Sequence, residues 1–476
     1  MEKINLPLLW PVTCHTNYVG KNSTFVAVKG HKEDGIKYIP LALQKGARKI
    51  VAEYTADIPS EIIQTIQNAD ARLEFVPSAR RALAYLSADA WEHPASKLKI
   101  IGITGTKGKT TTSWILHHLL QMAGKKAALL STVQNKIGLE EFDTELTTQH
   151  PDYLHAFFHT CVNAGMEYVV MEVAAQAASL HRVAGIEFDG LIFTNFSATH
   201  GEFYTTTHDY YQAKRTLFDY CKKDADLVIN ADDKKGQELL QEFKTAYSFG
   251  ASDTKSYVTF DNDQSSIHGI AGNCHNQDQS YALNCPTLIG SFNAYNILAA
   301  STMAFRLGIS WDTIAHGLTT FCKIPGRLEK YIVSNGAICF IDYAHNPLSF
   351  QAVLSLLRSL TDHLIVVAGA GGNRDTTMRP VLGKLMSEYA DYAIFTTDNP
   401  RLENPADIIA ALYAGVAPDK KNKVIGELDR QKAIEKAYLL SNSGSIIALL
   451  GKGPEQYQII GTAKIPFSER TIVQQL

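Results

Sequence analysis

Short apolar runs alternate with longer amphipathic stretches along most of the chain. Residues 24–52, TFVAVKGHKEDGIKYIPLALQKGARKIVA, read as strand, loop, helix and strand: apolar FVAV, a polar loop, IPLALQKGA at helical spacing, then KIVA. VPSARRALAYLSADAWE (76–92) predicts a helix that closes this first unit, and HPASKLK (93–99) a linker. IIGITG (100–105) then begins a strand that runs straight into glycines. Beyond it the spacing predicts helix TTSWILHHLLQMAG, strand KAALLS, helix YLHAFFHTCVNAG and strand YVVMEV, with GLIFTNF and DLVINAD as further strands. Short buried strands between helices imply a mostly parallel sheet covered on both faces. The polar segment 250–286, with short alternating runs, predicts a small β insertion, and helical NAYNILAASTMAFRLG follows. A second boundary falls near 325–330. Past it AICFIDYA, LSFQAVLSLLRSL, LIVVAGAGG, MRPVLGKLMSEYA, YAIFTTD and SIIALLG alternate again as strand and helix. The expected architecture is α/β in three domains: a small N-terminal domain (1–95), a central mostly parallel domain (96–326) and a Rossmann-like C-terminal domain (327–476).

Length agrees with that division, since 476 residues exceed one ordinary core. A chain 45% hydrophobic and 20% charged has the composition of a soluble globular protein. A net charge of −3 gives no support to a nucleic-acid or membrane-surface role. The seven cysteines are scattered and form no C-x-x-C pair, which suits free thiols in a reducing compartment better than disulfides or zinc. MEKINLPLLWPV has only a short apolar run broken by prolines, unlike a signal peptide or a membrane span. A cytoplasmic monomer acting on small molecules is expected, with no nucleic-acid or membrane partner.

The first candidate chemistry lies in 102-GITGTKGKTTTS-113. The common phosphate-loop spacing G-x-x-x-x-G-K-[ST] fails, because Ile103 stands where the outer glycine should be. Yet a strand ends at Thr104, glycines follow at 105 and 108, and Lys109 precedes three hydroxyls that open a helix. Glycines let backbone N–H groups approach phosphate oxygens, and a helix N-terminus adds partial positive charge. Lys109 can reach the β/γ-phosphates of a nucleotide, and the Thr110 hydroxyl can bind magnesium. The plainer alternative is a tight strand-to-helix turn, against which Gly-Lys-Thr-Thr-Thr in this context argues for a variant loop. Such a loop serves motors, kinases, GTPases and ligases alike. No N/T-K-x-D guanine motif is present.

Ordered blocks along the chain separate these classes. TGTKGKTTT resembles the TGT-x-GKTT loop of the Mur ligases, the ATP-dependent ligases that build the peptidoglycan stem peptide. TTQHPD (147–152), VVMEVAAQAASLHRV (169–183), TNFSATHGEF (194–203) and YYQAKRTLF (210–218) resemble further blocks of that family, in the same order. So do GSFNAYNILAA (290–300), PGRLE (325–329), IDYAHNP (341–347), GGNRDTTMRP (371–380), TTDNPR (396–401) and GKGPEQYQ (451–458). The resemblance implies an ATP-binding set of Gly105, Thr106, Lys107, Gly108, Lys109, Thr110, Thr111, Asn293, Asn296, Arg327 and Asp342. It implies Mg²⁺ held by Thr110, Glu172, His200 and a Lys214 carbamylated by CO₂, with Lys109, Lys214, His200 and Glu172 as the catalytic group. Glu172 fits on physical grounds too, because it ends an apolar strand beside the phosphate-loop strand. Read without the family, Lys214 is a surface lysine on an amphipathic helix and His200 a structural histidine.

The last blocks resemble the branch that adds the third residue of the stem. Diaminopimelate carries a carboxylate beside its far amine, so its recognition needs a cation for one and an anion for the other. Arg379, Asp398, Asn399, Pro400, Arg401, Gly451 and Glu455 fall on the positions that hold this amino acid in the diaminopimelate-adding enzymes, and lysine-adding relatives usually lack the DNPR arginine. On the donor side Thr16, Thr147, Thr148 and Arg182 match, but other positions depart. His15-Thr16-Asn17 replaces D-S-R, Ala174-Ala175-Gln176 replaces S-S-H, Thr199 replaces an Asp, and Pro454 replaces a His. Three readings stay open: addition of meso-diaminopimelate to UDP-MurNAc-L-Ala-D-Glu, the same chemistry on another carboxylate donor, or a non-catalytic descendant.

Overall fold

The computed structural model describes residues 3–30, 33–197, 203–252, 255–277 and 279–476. They form two compact units, one of 1–263, 272–284 and 292–320, the other of 264–271, 285–291 and 321–476.

The first unit opens with a four-stranded parallel sheet in the order Val12–Thr13, Thr24–Val26, Lys49–Glu53 and Arg72–Val76. Alternate side chains of its strands enter two cores, as the two-residue period of a strand demands. Phe25, Ile50 and Ala52 pack with Ile62 and Ile66 of helix Ser60–Asn68. Val26 and Val51 face the other way, onto Ala79 and Leu83 of helix Ala79–Ala90. The strands Val12–Thr13 and Arg72–Val76 and the helix between Glu53 and Arg72 escape the hydrophobic pattern, being very short or largely polar.

The large sheet of this unit has eleven strands. From one edge they are Gln279–Cys285, Gly269–Asn276, Val258–Ser266, Tyr247–Gly250, Cys221–Asn230, Phe188–Phe193, Lys99–Thr104, Tyr168–Glu172, Ala127–Leu130, Asn135–Ile137 and Glu140–Phe142. The pairings from Tyr247–Gly250 through Ala127–Leu130 are parallel, and the last two strands turn back antiparallel. The expected insertion at 250–286 supplies the three strands at the far edge. Register sets the site: Ile103 pairs with Glu172 and Phe193 with Thr104, so several strands end side by side.

The second unit carries a six-stranded sheet in the order Glu329–Ile332, Ile338–Asp342, Ile446–Leu450, Leu364–Ala368, Tyr392–Thr396 and Val424–Glu427. Its first pair is antiparallel and the rest parallel. Apolar side chains fill both faces, Phe340, Val366 and Phe395 on one and Ile341, Val367 and Ile394 on the other. A parallel sheet with crossover connections leaves its ligand crevice at the carboxyl ends of the strands. No described helix is long and apolar enough to cross a membrane.

Candidate active site

In the first unit strand Lys99–Thr104 delivers Gly105 to Gly108 at the N-terminus of helix Lys109–Met122. Gly105 and Gly108 have φ of 146° and 86°, conformations that L side chains resist. A Cβ on Gly105 would collide with Thr194 Oγ1, and one on Gly108 with Asn296 Oδ1. Gly102, by contrast, lies within the incoming strand. The neighbouring strand end braces the loop: Thr194 Oγ1 and Asn195 Nδ2 donate to Lys107 O at 2.7 and 3.1 Å, and Lys107 N donates to Asn195 Oδ1 at 3.0 Å. Lys107 is held by its backbone while its side chain is exposed. Asn296 supports the loop from behind, accepting from Thr112 Oγ1 at 3.3 Å and donating to Asn293 Oδ1 at 2.9 Å. Thr111 is buried beside them.

Two ammonium groups converge on this loop. Lys109 Nζ donates to Gly105 O at 2.9 Å and Thr106 O at 3.2 Å, and Lys214 Nζ donates to the same Gly105 O at 2.8 Å. Lys214 lies on helix Thr207–Arg215, 1% exposed, with Nζ 4.5 Å from the centre of the Tyr210 ring. The aromatic residues that suggest an ordinary amphipathic face instead bury the lysine. Desolvation, and after it the charge of Lys109, drives its proton affinity well below the ordinary 10.5. His200 lies outside the described residues.

Glu172, 1% exposed, ends the adjacent strand. Thr110 Oγ1 and Thr132 Oγ1 donate to its Oε2 at 3.0 and 2.9 Å, and Ser131 Oγ and Thr132 N donate to Oε1 at 2.6 and 2.8 Å. All four partners are neutral, three hydroxyls and one amide, and with the carboxylate they make a cluster rich in oxygen. That is the chemistry a hard cation such as Mg²⁺ takes. Among the described residues no group of three or more His, Cys, Asp or Glu forms a separate metal site. Ser131 and Thr132 are absent from the sequence-based set; their signal is the polar STVQN run directly after the apolar AALL strand.

Three of the four donor-side candidates, Thr147, Thr148 and Arg182, gather at the same strand end. Thr132 Oγ1, its proton given to Glu172, lies 3.1 Å from Thr147 Oγ1 and accepts from it, Thr148 Oγ1 donates to Glu172 O at 3.1 Å, and Arg182 Nη1 donates to Thr148 O at 2.7 Å. Thr16 sits in the 3-10 turn Thr16–Tyr18, where its carbonyl accepts from Lys45 Nζ at 2.9 Å. Buried Asp152, in the TTQHPD block but not among the candidates, ties helix Pro151–Asn163 to strand Val12–Thr13 by accepting from Thr13 Oγ1 at 2.9 Å and Cys14 N at 3.0 Å. Cations collect near it. His150 holds its proton less tightly than usual, through burial first and then through Arg182, Arg80 and His15, although Asp152 opposes the effect.

In the second unit Asp342, at the end of strand Ile338–Asp342, braces the turn that carries Arg327. Asp342 accepts the N–H groups of Leu328 and Ala344, both at 2.8 Å, and the Arg327 guanidinium lies 5.3 Å from the centre of the Tyr343 ring. The predicted amine-binding residues converge at the carboxyl ends of three neighbouring strands. Asn399 Nδ2 donates to Glu455 Oε2 at 2.8 Å, and fully buried Lys452 donates to Asn399 Oδ1 at 3.2 Å and Glu455 Oε2 at 3.0 Å. Arg401 Nη1 donates to Gly372 O at 2.7 Å, and Pro400 O lies where a Cβ on Gly372 would stand. Gly451 faces the Asp398 carboxylate in the same way. Arg379 differs from its expected role as an open cation, because Glu403 grips it with both oxygens at 2.8 and 2.9 Å. Lys452 and Glu403 were missed, although both stand within or beside the motifs that marked the site.

A phosphate cradle with two convergent lysines and a buried carboxylate defines a nucleotide-dependent α/β enzyme, and the comparisons with known proteins narrow that class. Residues 103–304 match the Mur ligase middle domain and 326–453 the glutamate ligase domain of Mur ligases. The UDP-N-acetylmuramoyl-L-alanyl-D-glutamate–2,6-diaminopimelate ligase of Cytophaga hutchinsonii is 35% identical over 467 residues, spanning 96% of this chain and 92% of that protein. The enzyme of the same name from Caldanaerobacter subterraneus is 36% identical over 455 residues, spanning 95% and 91%. A solved ligase of that name superposes with a TM-score of 0.68 at 24% identity, covering 98% of this chain and 94% of the other. The MurF ligase of Thermotoga maritima in complex with ADP superposes at 0.66 and 20% identity, covering 93% and 94%. The chain belongs to the Mur ligase family and is an ATP-dependent, amide-forming ligase.

Proposed function

We propose that the protein joins meso-diaminopimelate to the D-Glu carboxylate of UDP-MurNAc-L-Ala-D-Glu in the cytoplasm, as a step of peptidoglycan precursor synthesis. The observation that carries the amine assignment is the convergence of Asn399, Arg401, Lys452 and Glu455 at one set of strand ends. The relatives named for this reaction support the donor. Residues 1–95 would bind the UDP end, 96–326 ATP and 327–476 the amino acid. Arg80 and Arg182 offer the polyanionic donor positive charge that the altered 15–17 motif lacks.

The chemistry has two steps. A donor carboxylate oxygen attacks the γ-phosphorus of ATP, ADP leaves, and an acyl phosphate forms. The amine then attacks the acyl carbon through a tetrahedral intermediate, which expels phosphate and loses a proton. Lys109, turned inward onto loop carbonyls in this structure, swings toward the γ-phosphate and stabilises its growing charge. Thr110 and Glu172 would hold Mg²⁺, which when bound neutralises phosphate charge. Lys214, buried and easily deprotonated, is suited to capture CO₂: its ammonium first gives up one proton, the neutral Nζ bonds to the carbon and releases a second, and the former cation becomes a carbamate anion. Arg401 orients the far carboxylate of the amine substrate, while Glu455 and Asn399 receive its ammonium.

Phosphate release with purified protein tests this reading, using UDP-MurNAc-L-Ala-D-Glu and other D-Glu-containing donors, each with meso-diaminopimelate or lysine. The proposal expects turnover with the UDP-linked donor and diaminopimelate. Turnover confined to another donor moves the enzyme to a specialised pathway, and no turnover with any amine leaves only the non-catalytic reading.

A further inference from the structure

Helix Glu469–Val473 touches two loops that serve different substrates. Arg470 Nε donates to Glu329 Oε2 at 2.8 Å, and that oxygen also accepts Gly326 N–H at 2.9 Å. The guanidinium's other nitrogens reach Pro454 O at 3.4 Å and Gly453 O at 3.5 Å. Glu329 is only 2% exposed, and Tyr331 OH donates to its second oxygen at 2.6 Å. The two loops meet directly, because a Cβ on Gly326 would collide with the backbone of Gly453 and Pro454. One residue earlier, Glu469 Oε1 accepts from Arg430 Nε at 2.8 Å, and Arg430 Nη2 donates to Leu450 O at 2.8 Å. The same arginine reaches Thr397 O at 3.4 Å. Leu450 and Thr397 lead into the segments that carry Gly451–Glu455 and Asn399–Arg401.

Buried ion pairs do little for net stability once desolvation is counted, so their placement needs another reason. Here the reason is geometric. A planar guanidinium can hold one carboxylate and two carbonyls at fixed angles, which no other side chain does. We propose that Arg470 is a positioning residue that locks the Gly326–Arg327 turn to the Gly453–Glu455 loop, so that the nucleotide contact and the amine contact are set by one side chain. Glu469, through Arg430, holds the strand ends on the other side of the same helix. The inference rests on the reading above that Arg327 meets ATP and that Glu455 and Arg401 meet the amine.

Steady-state kinetics of full-length Arg470→Lys and Arg470→Ala, with melting curves, test it beside Arg401→Ala as a reference. Lysine keeps the link to Glu329 but its compact ammonium cannot span both carbonyls. Arg470→Lys should leave the ATP KM within about twofold while raising the diaminopimelate KM about tenfold, the size of one lost charge-assisted contact. Arg470→Ala should raise both KM values, and a role in stability alone would lower the melting temperature and leave both unchanged. If Arg470→Ala does not fold, an unaltered diaminopimelate KM in Arg470→Lys overturns the proposal. Should Arg401→Ala raise that KM while neither Arg470 variant does, the positioning role falls and the amine site stands. Should none of the three variants move it, both fall.

Discussion

At the strand ends of the first unit, the side-chain nitrogens of Lys109 and Lys214 share the carbonyl oxygen of Gly105. At those of the second unit, buried cations come with their own carboxylates: Arg379 with Glu403, Lys452 with Glu455, Arg430 with Glu469. The difference follows from what each end must do. Phosphoryl transfer concentrates negative charge that arrives and leaves with the substrates, so basic groups set close together are useful there and costly only while the site is empty. Amino-acid recognition discriminates between neighbouring amines by shape and charge placement. A pre-balanced network holds its donors and acceptors in place without waiting for a ligand.

The crowded end should be the more fragile. Lys214→Ala removes the nitrogen that CO₂ would modify, and ligation should fall by roughly 10³-fold, the scale of losing one preorganised charge in a phosphoryl-transfer site. High bicarbonate or chloride should restore part of it by supplying an anion in the vacated space. Full activity in the variant, measured as phosphate release at saturating substrates, rejects the carbamate role and with it half of the contrast.

The balanced end should respond selectively. Arg401→Ala should raise the diaminopimelate KM about 10- to 100-fold, as expected for one bidentate arginine contact, and leave the ATP KM within about twofold. An equal loss for lysine as co-substrate would remove the specificity argument. Glu403→Gln is a finer probe, because it keeps one acceptor for Arg379, replaces the other with an amide N–H donor and deletes the charge. If Arg379 works as a fixed strut, the diaminopimelate KM should rise by about two- to fivefold. A fall in that KM would instead mean that Glu403 competes with the substrate carboxylate for the arginine.

The two ends also differ in how readily the sequence discloses them. The phosphate loop is local: its glycines, lysine and hydroxyls are consecutive, and both the strand before and the helix after follow from periodicity. Glu172 is legible for the same reason, as the polar end of an apolar strand. The burial of Lys214 is not, because it depends on Phe196 and Tyr210 packing across the helix, and the helix pattern alone favours solvent. The pairing of Arg379 with Glu403 spans a strand and two loops, and spacing carries no sign of it. The hairpins Asn135–Phe142 and Tyr457–Pro466 have strands of three or four residues, too short for alternation to register. Asp152 lies within the TTQHPD block, yet an aspartate at a helix start has an ordinary explanation in the dipole, so spacing does not single it out.

The smallest effect concerns stability and isolates Lys214 from catalysis. In the folded protein its ammonium is destabilised by burial and then by Lys109, whereas in the unfolded chain it titrates near 10.5. Between the depressed folded value and 10.5, the unfolded state binds a proton that the folded state lacks. Stability therefore rises with pH across that window, and the penalty reaches its full size below the folded value and vanishes above 10.5. Lys214→Met removes the titration while keeping most of the volume. It also leaves Gly105 O without this donor, but that cost does not change with pH. The melting temperature of the variant minus that of the parent, in CO₂-free buffer, should thus become more positive as pH drops from 10.5 toward neutrality. A difference constant across that range would mean the lysine keeps its proton in the fold. Two full positive charges would then sit together at the phosphate loop, and the site would have to attract its anions by charge alone.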